Sequence, residues 1–275
     1  MRAASPEEKG PQARYVYAVI PHIDKDNFGP IGIEGNTVYT ISCEDISAVV
    51  HDCPAEAYMG DEGKVKEMVA THGSVVDAAW EEAGSILPMS FDVIVRTDGE
   101  RSAGDNVRKW LEDEHETFNM KLDEFRDKVE LGVQIFWDPE VITRQIAEEN
   151  EEITKLMAEL ATKSRGAAYF YQHSIEDAVK KEMAAKADRD YRSYYRRLRV
   201  HAEDIEVSKI KREENRQMIM NSSLLVKRGN VRALGETLAE IGEEDGVEVR
   251  FTGPWPPYTF AANIAAIGGK AKKGR

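Results

Sequence analysis

The apolar positions in the first half of the chain alternate in short runs and then recur at helical spacing. Three short β-rich runs predict strands, of which the last two form a hairpin: residues 15–20, 38–41 and 46–50. From Glu62 to Gly84 the apolar residues recur every three or four positions, which predicts a helix that ends at the glycine. Residues 86–95 form a further strand pattern interrupted by Pro88, which favours an edge position because proline cannot donate a ladder hydrogen bond.

The middle of the chain is dominated by helical spacing. Residues 102–127 predict a second helix, and residues 129–137 alternate as a strand that fits either half of the chain. Asp138-Pro139 then opens a long helical region, with the proline suited to a first helical position. Residues 167–201 as one helix would be roughly 50 Å long. That length exceeds the width of a small domain, so the helix must project, bend or fold back on residues 140–163 as a hairpin.

The last third predicts two strands, a helix and a final strand, at residues 204–210, 218–226, 230–241 and 247–252. Counted from the strand at 129–137, the order is strand, long helix, strand, strand, helix, strand. This order is the connectivity of a ferredoxin-like sandwich. We therefore expect an α+β protein with antiparallel sheets and packed helices, and a βαββαβ second half carrying a long helical insertion.

These elements suggest two domains. The predicted organisation is a disordered leader at 1–13, an N-terminal α+β domain at 14–137, a C-terminal ferredoxin-like domain with long helices at 138–262, and a basic tail at 263–275. The strand at 129–137 can belong to either half, so the domain boundary lies either before or after this strand.

The segment Gly253–Phe260, here called the closing segment, has the most distinctive composition in the chain. Three prolines in four positions remove backbone donors and fix φ, so the sequence predicts a stiff extended segment that presents Trp255, Tyr258 and Phe260. Aromatic side chains supply large apolar contact areas, and a rigid segment loses little entropy on docking. A strap that closes its own core and a surface that docks a partner both fit this pattern, and the two roles are compatible.

Residues 247–260 also resemble the closing motif of the GvpL/GvpF family of gas vesicle accessory proteins. Further matches occur in the expected order: Tyr15-Val16-Tyr17-Ala18-Val19, Leu87-Pro88-Met89-Ser90-Phe91 and Asn221-Ser222-Ser223-Leu224-Leu225-Val226. Together the matches span residues 14–261. The resemblance implies a non-enzymatic protein with two α+β domains that takes part in building gas vesicles and contacts the small hydrophobic shell protein.

Charge is distributed unevenly along the chain. The net charge is −13 over 275 residues, with 16 Lys and Arg against 34 Asp and Glu in residues 1–164, and 21 against 16 in residues 165–275. The asymmetry suggests two surfaces with different partners, or halves that attract one another. An acidic surface argues against general nucleic-acid binding. The polar first residues and the lack of long apolar runs predict a cytoplasmic protein that neither is secreted nor crosses a bilayer.

No residue pattern indicates catalysis or metal binding. The six histidines lie at none of the usual metal spacings, and the two cysteines, Cys43 and Cys53, suit partly buried free thiols in a reducing compartment. Nucleotide-binding and nucleophile motifs are missing as well. We therefore expect no enzyme activity, no cofactor and no metal, and we interpret His72, within a helical apolar stripe, as a core histidine.

The arginine- and tyrosine-rich stretch Arg189–Arg199 has two interpretations. Arginines interleaved with aromatic residues can contact phosphates and stack on bases. On a helix, however, Tyr191, Tyr194 and Leu198 share one side, which is typical of a packing stripe. No RNA-binding strand motif accompanies the stretch, so packing is favoured and no nucleic-acid partner is expected.

The expected partners are therefore the gas vesicle shell protein and other gas vesicle accessory proteins. Candidate contact residues are those of the closing segment and of the motif in the first half: Trp255, Pro256, Pro257, Tyr258, Phe260, Leu87, Met89 and Phe91. Two other functions stay open: a scaffold that recruits accessory proteins without touching the shell, and a ligand-binding regulatory module of ferredoxin-like type.

Overall fold

The computed structural model describes residues 12–162 and 165–262, without the side chains of 165–167. Within this range the chain divides into two compact units. The first unit contains residues up to Glu130 together with those from Pro254 onward, and the second contains Leu131–Gly253. The predicted domain division placed residues 254–262 in the second domain, whereas their contacts place them with the first. The predicted leader and tail lie almost entirely outside the described residues, and Ala13 already begins a strand.

The structure combines ten strands and seven α-helices in the described residues. The strands are β1 (Ala13–Pro21), β2 (Asn27–Gly29), β3 (Val38–Cys43), β4 (Ile46–Cys53), β5 (Leu87–Pro88), β6 (Ile94–Arg96), β7 (Lys128–Trp137), β8 (Ala202–Val207), β9 (Gln217–Lys227) and β10 (Val247–Trp255). The helices are α1 (Glu62–Ala83), α2 (Ala103–Asp113), α3 (His115–Phe125), α4 (Pro139–Glu149), α5 (Glu151–Leu160), α6 (Arg165–Arg199) and α7 (Val231–Gly242).

The sheet of the first unit is centred on β1. Its strand order is β2-β3-β4-β1-β5, and β6 also pairs with β1. The predicted hairpin is confirmed, because β3 and β4 pair antiparallel from Val38 opposite His51 to Cys43 opposite Ile46. Helices α1, α2 and α3 contact β1. The central strand is almost wholly buried for this reason, as its composition requires.

Helix α1 confirms the prediction made from its apolar spacing. Asp61 caps its N-terminus by accepting a hydrogen bond from the Lys64 backbone N–H at 2.9 Å. Gly84 ends the helix with φ of 73°, a left-handed conformation that glycine adopts without steric cost.

Two predicted elements of the first unit are interrupted. The strand expected at 86–95 is two short strands, β5 and β6, each paired with β1, and Pro88 lies at the sheet edge as expected. Between them Asp92 has φ of 71°, which turns the chain away from the strand direction. The helix expected at 102–127 breaks at Glu114 into α2 and α3, although no proline or glycine marks the position.

The sheet of the second unit has the order β10-β7-β9-β8, and β8 pairs antiparallel with β9. The elements follow the predicted order of strand, helices, strand, strand, helix, strand. A mixed α+β architecture with antiparallel pairing is thus present, while the ferredoxin-like assignment stays a prediction. Strands β7 and β10 approach closely at Gly132, where a Cβ atom would lie 2.8 Å from the Thr252 hydroxyl oxygen. Only glycine fits there without displacement.

The long helical region folds back on itself. Helices α4 and α5 both pack against α6, and the Thr143 hydroxyl lies 3.6 Å from the Met183 sulfur. Of the three arrangements open to a helix of this length, the hairpin is therefore the one observed. Asp138 and Asn150 cap the N-termini of α4 and α5 through their side chains, and Pro139 occupies the first turn as predicted. Across the described residues, no helix is both long and apolar enough to span a membrane.

Candidate functional site

The closing segment changes conformation at its prolines. Strand β10 continues through Pro254 and ends at Trp255, and residues 258–262 then form a short helical turn. The prediction of an extended segment up to Phe260 was therefore wrong after Pro257. The physical reason is that prolines fit immediately before and within a first helical turn, where the missing N–H groups have no intrahelical partner.

A buried carboxylate fixes the start of this turn. Glu130, only 7% exposed, accepts a hydrogen bond from the Thr259 backbone N–H at 2.8 Å and another from the Thr259 hydroxyl. An anion at a helix N-terminus satisfies free N–H groups and interacts favourably with the helix dipole. Glu130 and Thr259 are 129 positions apart, so this anchor could not be predicted from sequence spacing.

The five candidate residues of the closing segment differ in accessibility. Trp255 is 49% exposed, whereas Pro256 and Pro257 are buried and Tyr258 and Phe260 are half-buried. Burial, with the Asp77 carboxylate adding to it, raises the pKa of the Tyr258 hydroxyl well above its usual value. The segment thus presents one large aromatic side chain on a backbone that its neighbours hold in place. Pro256 and Pro257 are thus packed as a strap would be, and Trp255 is the residue of the segment that a partner could reach.

The second candidate group lies mostly in the core. Leu87 and Met89 are fully buried and Phe91 is half-buried. Leu87 pairs with Val19 in the sheet, and the Met89 backbone N–H donates to the Tyr17 carbonyl at 2.9 Å. A partner could not reach Leu87 or Met89 while this core is intact, because α3 packs on β5.

The core of the first unit contains a hydrogen-bonded network of tyrosines and histidines. The His72 Nε2 lies 3.1 Å from the Met89 carbonyl oxygen, so Nε2 carries the proton and donates. Nδ1 of the same ring then accepts from the Tyr15 hydroxyl at 2.9 Å, and that hydroxyl accepts from the Asp92 backbone N–H at 3.0 Å. His72 is a satisfied core histidine, as predicted.

A second chain of the same kind lies beside the first. The Tyr17 hydroxyl lies 2.7 Å from His51 Nδ1 and accepts from the Ile33 backbone N–H, while His51 Nε2 lies 2.8 Å from the Tyr58 hydroxyl. The Tyr15 and His51 rings stack with centroids 5.0 Å apart. The only sequence signal for this cluster is the i, i+2 spacing of Tyr15 and Tyr17, which places both rings on one face of β1.

Burial sets the protonation states of this network. It lowers the pKa of His51 and of His72 to about 4, and it raises the pKa of the Tyr15 and Tyr17 hydroxyls. All four groups are therefore neutral at pH 7. Their ring nitrogens and hydroxyls are occupied by one another, by the Tyr58 hydroxyl and by the backbone, which is the geometry of a structural network.

The thiols and carboxylates elsewhere in the first unit give no stronger site. Cys53 is buried, and burial raises the pKa of its thiol to about 11, which disfavours the nucleophilic thiolate. Glu44, Asp45 and His115 group closely enough to hold a cation, a possibility that the short-range spacing search missed. His115 Nε2 already lies 2.6 Å from the Asp45 carboxylate, which also accepts from Asn119 at 3.0 Å.

The arginine- and tyrosine-rich stretch packs within the second unit. Tyr194 and Leu198 are buried, and the Tyr194 hydroxyl donates to the Glu244 carboxylate at 2.8 Å. Arg197 pairs with the same carboxylate at 2.7 Å. These contacts favour the packing interpretation over base stacking.

Comparisons with known proteins agree with the resemblance noted from the motifs. The family model described as "Gas vesicle synthesis protein GvpL/GvpF" matches residues 13–262. The chain is 30% identical to gas vesicle protein L of Haloferax mediterranei, covering 85% of this chain and 73% of that protein. It is 28% identical to gas vesicle protein L1 of Halobacterium salinarum, covering 95% and 94% respectively.

The fold has been seen in a solved structure. The crystal structure of gas vesicle protein GvpF from Anabaena sp. PCC7120 superposes with a TM-score of 0.72 at 16% identity, covering 91% of this chain and 98% of that one. The match of the family model spans nearly the whole chain, and both described units lie within it. The chain therefore belongs to the GvpL/GvpF family of gas vesicle synthesis proteins.

Proposed function

We propose that this protein acts without catalysis in gas vesicle formation, as an assembly factor that binds the hydrophobic shell protein in the cytoplasm and on growing vesicles. Other accessory proteins of the vesicle join it there. The observation that carries this proposal is the half-exposed Trp255, which stands on a segment fixed by two buried prolines and by the Glu130 anchor.

The physical need for such a factor follows from the shell itself. A subunit that encloses gas presents an apolar face, and before assembly that face must be covered to prevent aggregation. A tryptophan exposes roughly 200 Å² when free, so burying the accessible half of Trp255 would contribute about 2 kcal/mol. Because the backbone around it is already ordered, little of that gain is lost to entropy on docking.

The other candidate residues have different roles in our proposal. Pro256 and Pro257 set the geometry of the closing segment, and Tyr258 and Phe260, each half-buried, contribute less contact area than Trp255. Phe91, also half-buried, is a further, smaller contact residue. Leu87 and Met89 are buried and belong to the core of the first unit. The pKa of the Cys53 thiol is raised, and the polar atoms of the Tyr–His network already have hydrogen-bond partners. Both observations support a function without covalent or acid–base chemistry.

The test uses two purified components, the full chain and immobilised shell protein. We expect direct binding, and we expect Trp255→Ala to weaken it about tenfold or more, as truncation of a central aromatic anchor does. Phe170→Ala is the matched control, because Phe170 is an aromatic side chain 72% exposed on α6. Equal binding by both variants would remove the site, and no binding by the wild-type chain without a third component would favour the scaffold function instead.

A further inference from the structure

A groove opens in the second unit between α6 and the β8–β9 hairpin. Its volume is about 360 Å³. It is lined mainly by apolar side chains: Ala187 and Tyr191 from α6, Val207 and Ile210 from β8 and the residues after it, and Met218 and Met220 from β9. This volume is near the lower end of the usual range for ligand pockets, roughly 300–1,000 Å³, and admits a few aliphatic side chains.

The rim of the groove is apolar and held in position. Val207 is 50% exposed and Ile210 is 62% exposed. The Ser208 backbone N–H donates to the Asn221 carbonyl at 2.8 Å, so the chain stays beside β9 after β8 ends. The Lys211 backbone N–H lies 3.3 Å from the Met218 sulfur, which fixes Ile210 at the opening. Two exposed aliphatic residues on an ordered backbone mark a contact surface.

The segment after β8, which forms one side of this opening, is locally basic. Lys209, Lys211 and Arg212 follow one another along the rim, are exposed, and belong to none of the ion pairs found among the described residues. Arg192 lies one residue after Tyr191 and is equally exposed. Asp188 is the acidic residue that lines the groove in the part of the chain that the structure describes.

Two cations of α6 that adjoin the groove-lining residues Ala187 and Asp188 in the chain are paired, unlike those after β8. Lys186 pairs with Asp190 at 3.0 Å, and Arg189 pairs with Glu182 at 2.8 Å. Oppositely charged side chains one turn apart, as Lys186 and Asp190 are, commonly offset each other on a solvated helix. An apolar groove bordered by cations without such partners is complementary to a ligand that combines aliphatic side chains with carboxylates.

We propose that this groove docks an acidic amphipathic helix of a partner polypeptide. A helix can lay an aliphatic face into the groove beside α6 and keep its carboxylates against the cationic rim. An added strand fits less well, because it would lie along the edge of β8, where Asp204 and Glu206 are exposed and would repel an acidic chain. No residue of the closing segment lines the groove, so this inference does not depend on binding of the shell protein.

The experiment measures fluorescence anisotropy with two labelled, helix-stapled peptides of about 18 residues. One carries leucines along one face and glutamates elsewhere, and the other has lysine at every glutamate position. We expect saturable binding of the acidic peptide to the full chain and much weaker binding of the basic one. Amide hydrogen exchange in the complex should show protection at Val207–Ile210 and Met218–Asn221.

Three variants locate the interaction. Ile210→Asp and the double variant Lys209→Glu/Lys211→Glu should each weaken binding about tenfold. Lys180→Glu/Lys181→Glu is the matched control, since both lysines are exposed on α6 outside the groove, and it should change binding less than about twofold. All of these side chains are exposed, so unchanged circular dichroism melting confirms that each variant folds.

Failure of the acidic peptide to bind the wild-type chain overturns the proposal, as does binding that the groove variants leave unchanged. A dimer of the free chain that Ile210→Asp dissociates would also overturn the proposal, because the groove would then be occupied by a second copy of this chain.

Discussion

Polar groups are accommodated differently in the two units. The first unit buries His51 and His72 in its core and satisfies them with tyrosine hydroxyls and backbone groups. The second unit keeps its charged groups at the surface, where Tyr194 reaches the half-exposed Glu244 carboxylate from the core. Among its described side chains only Ser222 is polar and buried. Two α+β units of similar construction can therefore differ in how their stability depends on pH.

The largest expected effect is selective acid destabilisation of the first unit. The pKa of both core histidines is about 4 when folded, against an ordinary value of 6.5, so below pH 6.5 the unfolded chain takes up protons that the native core does not. The stability that depends on these neutral histidines is thus fully present above pH 6.5, and it decreases as the pH falls towards 4. At pH 5 the loss is about 2 kcal/mol for each histidine.

Hydrogen exchange followed peptide by peptide between pH 7 and pH 5 measures this difference, after correction for the intrinsic pH dependence of exchange. We expect protection to fall in β1, β4 and α1 and to change little in β9 and α7. An equal loss of protection in both units would show that the Tyr–His network does not set the acid sensitivity.

A truncation in the apolar core of the second unit should have the next largest effect. Leu198 is fully buried on α6, and Leu198→Ala should cost about 2–5 kcal/mol through lost burial and the remaining cavity. Because no charge is involved, the difference from wild type should be the same at pH 7 and pH 5. Urea unfolding at pH 7 and pH 5 tests this. A free-energy cost that differs between the two pH values would contradict the expected difference between the units.

The matched pair Tyr17→Phe and Tyr194→Phe compares the two kinds of polar contact directly. Removing the Tyr17 hydroxyl leaves the Ile33 N–H and His51 Nδ1 without their partner inside the core, at a cost of about 1–3 kcal/mol. Glu244, the acceptor of Tyr194, is partly exposed and can bind water, so that loss should be about 1 kcal/mol or less. Chemical denaturation of the two variants decides the order, and a larger cost for Tyr194→Phe would reverse the comparison.

The smallest expected effect is local to the helical hairpin. Asn150 caps α5 by accepting from the Glu152 and Ile153 backbone N–H groups at 3.0 and 3.1 Å, so Asn150→Ala should cost about 1 kcal/mol. Faster amide exchange at the start of α5, with the first unit unaffected, is the expected signature. Lys155→Ala, an exposed position on the same helix, serves as the control.

The elements that depend on local patterns could be predicted from the sequence. Helical spacing and Gly84 defined α1, and the order of elements from β7 to β10 followed from apolar periodicity. Pro88 correctly indicated a sheet edge, because its missing donor acts wherever the residue lies.

Features built from distant residues could not be predicted in this way. Tyr15, His51 and His72 form one cluster although no local period relates them. Glu130, near the middle of the chain, caps a turn at Thr259. The turn itself was missed because prolines favour both an extended segment and a helical start, and the choice depends on that distant carboxylate. The groove depends likewise on how far α6 covers the β8–β9 hairpin.

We propose above all that this protein covers the apolar face of the shell subunit with rigid contact area. The most direct measurement is light scattering of purified shell protein diluted from denaturant, with and without an equimolar amount of the full chain. Wild type and Phe170→Ala should suppress scattering, and Trp255→Ala should largely fail to do so. Undiminished suppression by Trp255→Ala, or none by the wild-type chain, would contradict the proposal.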